Sequence, residues 1–215
     1  LAHHFFDMDH TLIDNDCDVS WKAFLIETGR ADAAQRAEVE RFYGAYERNE
    51  LDERSFLAFQ LAEFVGQGQA TMRQLAEEHF EAKVRPTIFP QAWTLLADIV
   101  ARGDQIHLLT ATNRIVASPV AEYLTIPDVI ATELEVDNNL YTGRIVDLYC
   151  CGPGKLERLE RRCSQLEVEL RDIFYYGDSV SDVIVLEAVG HPVATNPMPA
   201  VRELAARRHW PVLDF

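Results

Sequence analysis

Four short stretches of this 215-residue chain combine side chains able to hold a cation and a phosphoryl group. Asp7 and Asp9 stand in Asp7-Met8-Asp9-His10-Thr11-Leu12, and Thr110 stands in Leu108-Leu109-Thr110-Ala111-Thr112. Lys155 closes Gly152-Pro153-Gly154-Lys155, and Asp178 and Asp182 bracket Gly177-Asp178-Ser179-Val180-Ser181-Asp182. Carboxylates converging in a dry site repel each other and cannot all ionise, so they demand a cation. Hard oxygen ligands that leave room for water suit Mg²⁺, which takes one or two carboxylates and keeps positions for a substrate phosphate. A lysine and a hydroxyl beside them fit a phosphoryl group, whose transfer is catalysed mainly by positioning and charge stabilisation. Taken singly, each piece has an ordinary explanation: an Asp-x-Asp as a turn or helix cap, a threonine as packing, a lysine as solvated charge. Their common position in the fold gives them weight together.

That position follows from the pattern of elements. Leu1 to Phe6 is short and mostly apolar, and reads as a buried first strand. From Asp18 to about Arg85 the texture is helical, with Trp21, Phe24 and Leu25 and then Val39, Phe42, Tyr43 and Tyr46 at helical spacing. Breaks at Gly29, Asn49 to Asp52, and Gly66 to Gly68 divide it into four helices, closed by Pro86 and Pro90. Helix and strand then alternate: a helix to Arg102, a strand Gln105 to Leu109, and a helix opened by Ser118-Pro119. A β-hairpin is expected from Val129 to Val136 and Arg144 to Leu148, followed by an amphipathic helix from Lys155 to Glu169. A strand Ile173 to Tyr176, a helix of about Val180 to Val189, a strand near Pro192 to Ala194, and a helix from Pro199 to about Arg208 complete the chain. The expected fold is α/β, a doubly wound parallel sheet core from residues 1–14 and 86–215 with a small four-helix cap at 15–85. In such sheets ligands bind beyond the carboxyl ends of the strands, where all four stretches fall.

Bulk properties restrict the rest. With 48% hydrophobic residues the chain can bury a proper core, which sets aside a disordered or fibrous class. The net charge of −15 and the absence of a basic run argue against nucleic acid and anionic lipid as partners. No stretch approaches the roughly 20 apolar residues of a membrane span, and no signal-peptide pattern is present, so a soluble, cytoplasmic protein is expected. The chain opens on Leu1 rather than Met, so a few residues are expected to precede it. Cys17, Cys150, Cys151 and Cys163 lack metal-site spacing and read as reduced thiols with structural roles. Nothing in the sequence fixes an oligomeric state.

The four stretches match, in order, the motifs of haloacid dehalogenase-like hydrolases. The helical segment after the first motif resembles the subgroup containing phosphoserine phosphatase, and the likeness spans essentially the whole chain. The resemblance implies a Mg²⁺-dependent phosphatase acting on a small phosphomonoester. It makes Asp7 the nucleophile that forms an aspartyl-phosphate, and Asp9 the acid that protonates the leaving alkoxide and later activates water. It assigns Mg²⁺ to the Asp7 carboxylate, the Asp9 backbone carbonyl and Asp178, with Asp182 orienting a metal-bound water or Lys155. Thr110 becomes a donor to a phosphate oxygen and Lys155 the neutraliser of transition-state charge. Relatives that keep their phospho-enzyme lack the second acid, so Asp9 points to hydrolysis.

Asp16 falls where phosphoserine phosphatases carry an acid for the substrate ammonium. Their cap arginine, which binds the serine carboxylate, has no counterpart in Ser55 to Glu63, with Arg54 just outside. The chain therefore loses the best contact for a carboxylate, which argues against phosphoserine. Ser181 stands where relatives commonly have Asn. Thr110-Ala111-Thr112-Asn113-Arg114 is similar to phosphoserine-phosphatase-like hydrolases of varied substrates, among them histidinol phosphate and lipid head-group phosphates. Asn113 and Arg114 are candidates for phosphate or leaving-group contacts, or for starting a helix. His3, His4 and His10 are expected to pack near the site, Phe56, Phe59 and Phe64 to pack the cap, and Asp14, Asp18 and Glu27 to be solvated. A phosphotransferase with an alcohol acceptor shares the same core, and a non-catalytic phosphate binder would share the fold. A dinucleotide-binding protein is disfavoured because no Gly-x-Gly-x-x-Gly turn follows the first strand.

Overall fold

In the computed structural model, which describes residues 1–48 and 50–215, a seven-stranded sheet runs in the order β4-β3-β2-β1-β5-β6-β7. The strands are β1 (His3–Phe6), β2 (Gln105–Asn113), β3 (Asp128–Asp137), β4 (Leu140–Val146), β5 (Ile173–Gly177), β6 (His191–Thr195) and β7 (Val212–Leu213). All neighbours pair in parallel except β3 and β4. Strand β1 is buried along its length between β2 and β5, so its side chains serve both faces of the sheet. Phe6 joins the apolar cluster on one face and Phe5 that on the other, as the two-residue period of a strand requires.

Helices α1 (Cys17–Glu27), α2 (Arg36–Glu47), α3 (Glu53–Gln60) and α4 (Gln69–His79) follow β1. They are the four helices expected from the sequence; the break placed at Asn49 lies outside the described residues. Helix α4 runs on through a π-helical turn, Phe80–Val84, into α5 (Pro90–Ala101) and the sheet. Trp21, Phe24 and Leu25 of α1, Met72, Leu75 and Ala76 of α4, and Phe80 share one apolar cluster with α5 and α6 (Arg114–Tyr123). Helices α7 (Pro153–Leu166), α8 (Val183–Ala188) and α9 (Pro199–Arg208) cover the opposite face through Leu159, Val185, Leu186 and Val201.

The hairpin β3–β4 turns on Asn138 and Asn139, at φ 48° and 65°. Two consecutive positive φ angles make the two-residue turn that matches strand twist, and asparagine tolerates them. The hairpin therefore turns earlier than expected, and Thr142-Gly143 lies inside β4. Gly143, at φ 79°, accommodates the insertion: a Cβ there would come within 2.5 Å of the Val65 side chain. Backbone bonds from Gly66 N–H to the Tyr141 carbonyl (2.8 Å) and from Tyr141 N–H to the Gln67 carbonyl (2.9 Å) tie the insertion to the hairpin.

Further boundaries differ from expectation: strand β2 runs on past Leu109 to Asn113, so Thr110 lies within it and not after it. Helix α6 opens at Arg114, not at Ser118-Pro119, because Asn113 caps it by accepting the Val116 N–H at 3.2 Å. Pro119 sits inside that helix, where Ser118 donates to the Arg114 carbonyl at 2.7 Å. Strand β7 has two residues and carried no signal of its own. The cysteines are unpaired thiols, three of them buried. Among the described residues no helix is long and apolar enough to cross a membrane.

Candidate active site

The carboxyl ends of β1, β2 and β5 converge where the strand order reverses, the usual ligand-binding edge of such sheets. Asp7 leaves β1 with its N–H on the Tyr176 carbonyl of β5, at 2.8 Å. Lys155 reaches it from the first turn of α7: its Nζ donates to Asp7 Oδ1 at 2.7 Å and to Asp182 Oδ1 at 2.6 Å. Two glycines permit this approach. A Cβ on Gly154 would stand 2.1 Å from the Tyr149 carbonyl oxygen, and one on Gly177 would stand 2.9 Å from the Asp182 side chain.

Asp182 is fully buried and closely bonded. Besides Lys155, Oδ1 accepts the Tyr175 hydroxyl at 2.5 Å, while Oδ2 accepts the Ser179 N–H at 3.1 Å and the Ser179 hydroxyl at 2.8 Å. Burial works to raise its carboxyl, but Lys155 and these donors hold it below the ordinary range. Asp178 is almost as buried, with the Thr11 hydroxyl donating at 3.3 Å. Burial, then Asp182 and Asp7, push it well up. Burial, against the pull of Lys155 and helped by Asp182 and Asp9, puts Asp7 at about 7. Carboxylate oxygens of Asp7, Asp178 and Asp182 lie within 4.8 Å of one another.

Asp9 is also pushed up to about 7, by burial and then by Asp16. Its Oδ2 accepts the Thr112 hydroxyl at 2.7 Å and its Oδ1 the Cys17 N–H at 2.8 Å. Those two bonds oppose the rise and fix the carboxyl's orientation. Thr110 is fully buried at the same edge, where Oγ1 accepts the Thr112 N–H at 3.2 Å and keeps its own proton to donate.

A cavity of about 320 Å³ opens from Asp7, Asp9, Lys155 and Asp178 toward α1, α2 and α3. Asp16 lines it while also capping α1, its Oδ1 accepting the Val19 N–H at 2.9 Å. Phe56 and Phe59 line it too, whereas Phe64 packs in the core as expected. Asp18, expected to be solvated, faces this cavity and is bonded to Gln60. Asp14 and Glu27 are exposed as expected, with Glu27 ion-paired to Lys83 at 2.5 Å. The structure directs Asn113 and Arg114 away from the cavity. Asn113 caps α6, and Arg114 donates to Glu133 at 2.7 Å and to the Val129 carbonyl at 2.7 Å. Arg54 is exposed and outside the cavity wall. Of the three histidines, His10 lines the cavity, while His3 and His4 pack along β1, bonded to His107 and Tyr176 at 2.9 and 3.0 Å.

Sequence reasoning passed over Thr112, Tyr175 and Ser179. The first two were signalled by the two-residue strand period, since Thr112 follows Thr110 by two and Tyr175 precedes Gly177 by two. Ser179 with Asp182 three residues later is a capping-box spacing.

The donor set fits a hard divalent cation: buried oxygens, no histidine or thiol among them, and more negative charge than one lysine offsets. The profile of the haloacid dehalogenase-like hydrolase family matches residues 4–187. The chain belongs to that family. Histidinol-phosphatase of Neisseria meningitidis is 32% identical, over 98% of this chain and 97% of its own. A phosphoserine phosphatase of Mycobacterium tuberculosis is 30% identical over 72% of this chain and 50% of its own. A Bordetella pertussis protein of unknown function superposes with a TM-score of 0.89, at 35% identity over 99% of this chain and 98% of that one. A substrate-bound phosphoserine phosphatase shares the fold, with a TM-score of 0.72 at 17% identity over 99% and 92%. This haloacid dehalogenase-like chain is thus an enzyme, a hydrolase placed among phosphatases.

Proposed function

We propose that the chain hydrolyses a small phosphomonoester through an aspartyl-phosphate on Asp7, with Mg²⁺ as cofactor. The observation that carries this reading is the joint placement of Asp7, Asp9 and Lys155 at one strand edge, facing one cavity. The first division of labour is covalent. An Asp7 carboxylate oxygen attacks phosphorus, the bond from phosphorus to the ester oxygen breaks, and Asp9 gives its proton to the departing alkoxide. Water then attacks the acyl phosphate, Asp9 takes a proton from it, and Asp7 and phosphate are released. A carboxyl at about 7 is matched to both proton transfers near neutral pH.

Lys155 holds Asp7 in place and offsets charge on the phosphoryl oxygens, and Thr110 donates to one of them. Asp7, Asp178 and the Asp9 backbone carbonyl would hold Mg²⁺, which supplies positive charge beside the phosphoryl group when bound. Asp182 positions Lys155 and leaves its negative charge near the cation. Residues 15–85 act as the cap that encloses the leaving group, over a core of 1–14 and 86–215.

Phosphate release from p-nitrophenyl phosphate with Mg²⁺ tests the reading. Asp7→Asn should lower turnover by at least roughly 10³-fold, as loss of a nucleophile does. Undiminished turnover in that variant would overturn it.

A further inference from the structure

The hydrolysis assigned to Asp7 and Asp9 gives no task to Tyr46 of α2 or to Ser181 in the turn after β5. Yet their hydroxyl oxygens lie 3.0 Å apart on the cavity wall, and Ser181 Oγ lies 2.8 Å from Ser179 Oγ. A hydroxyl carries one proton and two lone pairs, and that count sets the direction of each bond. Ser179 donates its proton to Asp182 Oδ2 at 2.8 Å, and its Oγ accepts the Asp182 N–H in a capping box. It can therefore meet Ser181 only as an acceptor. Ser181 then gives its proton to Ser179 and must accept from Tyr46. Burial, and then Asp182, hold the Tyr46 hydroxyl well above its ordinary range, so it keeps the proton it donates. The bonds form a one-way series from Tyr46 through Ser181 and Ser179 to Asp182. It starts on the insertion and ends on a buried carboxylate.

That carboxylate has no acceptor position to spare. Oδ1 takes Lys155 Nζ at 2.6 Å and the Tyr175 hydroxyl at 2.5 Å, and Oδ2 takes the Ser179 N–H at 3.1 Å beside the Ser179 hydroxyl. These fill the roughly four lone-pair sites of a carboxylate, which fixes its orientation. Lys155 Nζ in turn donates to Asp7 Oδ1 at 2.7 Å. Hydrogen bonds in series polarise and strengthen one another, most of all away from water. Withdrawing the donor at Tyr46 therefore weakens the hold of Ser179 on Asp182. Asp182 is then free to turn toward Lys155 and to draw it from Asp7.

We propose that Tyr46 is a positioning residue for phosphoryl transfer, acting through Ser181 and Ser179 on Asp182 and so on the Lys155 ammonium that holds Asp7. This rests on the phosphatase reading and extends the machinery of that site to two residues that do not meet phosphorus. The Tyr46 ring lines the cavity while its hydroxyl faces the turn, so the insertion acts on the chemical step as well as on enclosure.

Single turnover of p-nitrophenyl phosphate with Mg²⁺ and enzyme in excess reads transfer to Asp7 as release of p-nitrophenolate. The rate constant then reports active molecules alone, so partial unfolding of a variant does not imitate a loss. Tyr46→Phe keeps the ring and removes the donor. It should lower the maximal rate constant about 5-fold, the usual net loss of one hydrogen bond, with the half-saturating enzyme concentration within about 2-fold. Ser181→Ala cuts the series one step further on. Tyr46→Phe added to Ser181→Ala should therefore change the rate constant by less than about 2-fold, as members of one network do. The same loss from Tyr46→Phe in both backgrounds, a loss confined to half-saturation, or no loss in the natural chain overturns the proposal and leaves the phosphatase reading standing. No Mg²⁺-dependent turnover of the ester by the natural chain overturns both.

Discussion

The two ends of the cavity are built by different means. At the sheet edge, Lys155, Asp7, Asp182, Tyr175 and Ser179 form a continuous network of short bonds between buried groups. At the helical end, ring packing dominates, and polar links such as Gln60 to Asp18 are few. Tyr46 joins the two, its hydroxyl 3.0 Å from Ser181 Oγ, which in turn lies 2.8 Å from Ser179 Oγ. The difference separates two tasks. Buried, mutually bonded charges fix reacting atoms within tenths of an ångström, as bond making requires. Apolar rings tolerate small displacements and can accept a range of leaving groups.

This separation can be broken by substitutions at either end. With the nucleophile kept, the largest effect is expected from Lys155→Met, which leaves Asp7 and Asp182 without their cationic partner. Turnover should fall roughly 10²- to 10³-fold while the ranking of esters stays the same. A changed ranking, measured across a panel of small phosphomonoesters, would show that the ends are not independent. Phe42→Leu acts at the other end. It should raise KM by roughly 5- to 10-fold with kcat within about 2-fold, since a ring contact of about 1 kcal/mol is lost far from phosphorus. Equal losses in kcat would contradict the separation. Tyr46→Phe removes the link between them and should cost about 1 kcal/mol in kcat/KM, the net worth of one hydrogen bond.

Much of the sheet end was legible in the sequence because its groups sit at or near strand ends: Asp7 and Asp178 follow β1 and β5, and Thr110 lies in the last residues of β2. Asp7, Thr110 and Asp178 needed no knowledge of packing beyond strand termini, and Lys155 needed the Gly154 turn that brings α7 under Tyr149. The helical end was less legible. Asp18 lies on the polar side of α1, and a helix viewed alone does not distinguish solvent from a cavity roofed by α2 and α3. Phe56 and Phe59 pack the insertion and line the cavity at once, a double role that spacing does not encode. Asn113 and Arg114 followed a motif closely enough to suggest substrate contact. The need to cap α6 and to satisfy Glu133 took them elsewhere.

His79 gives a smaller, pH-dependent probe of the helical end. It is buried beneath Trp21 and bonded to Ser20 at 2.9 Å, and burial followed by Lys83 lowers it to about 4 from an ordinary 6.5. The unfolded chain therefore binds a proton that the folded chain refuses. The stabilisation from keeping His79 neutral is complete above about pH 6.5 and is lost as pH falls toward 4. Denaturant melts at pH 7 and pH 5 should show the natural chain losing roughly 1–2 kcal/mol more than His79→Gln. Equal losses would mean that the imidazole is protonated without penalty and that this part of the insertion admits water.

The covalent step on Asp7 is tested most directly by acid quench during steady turnover of p-nitrophenyl phosphate with Mg²⁺, followed by peptide mass mapping. The expected result is one added phosphoryl group on the peptide that contains Asp7, absent in Asp7→Asn. Turnover by the natural chain with that peptide unmodified, or with the phosphoryl group on another residue, would contradict the assignment of Asp7 as nucleophile.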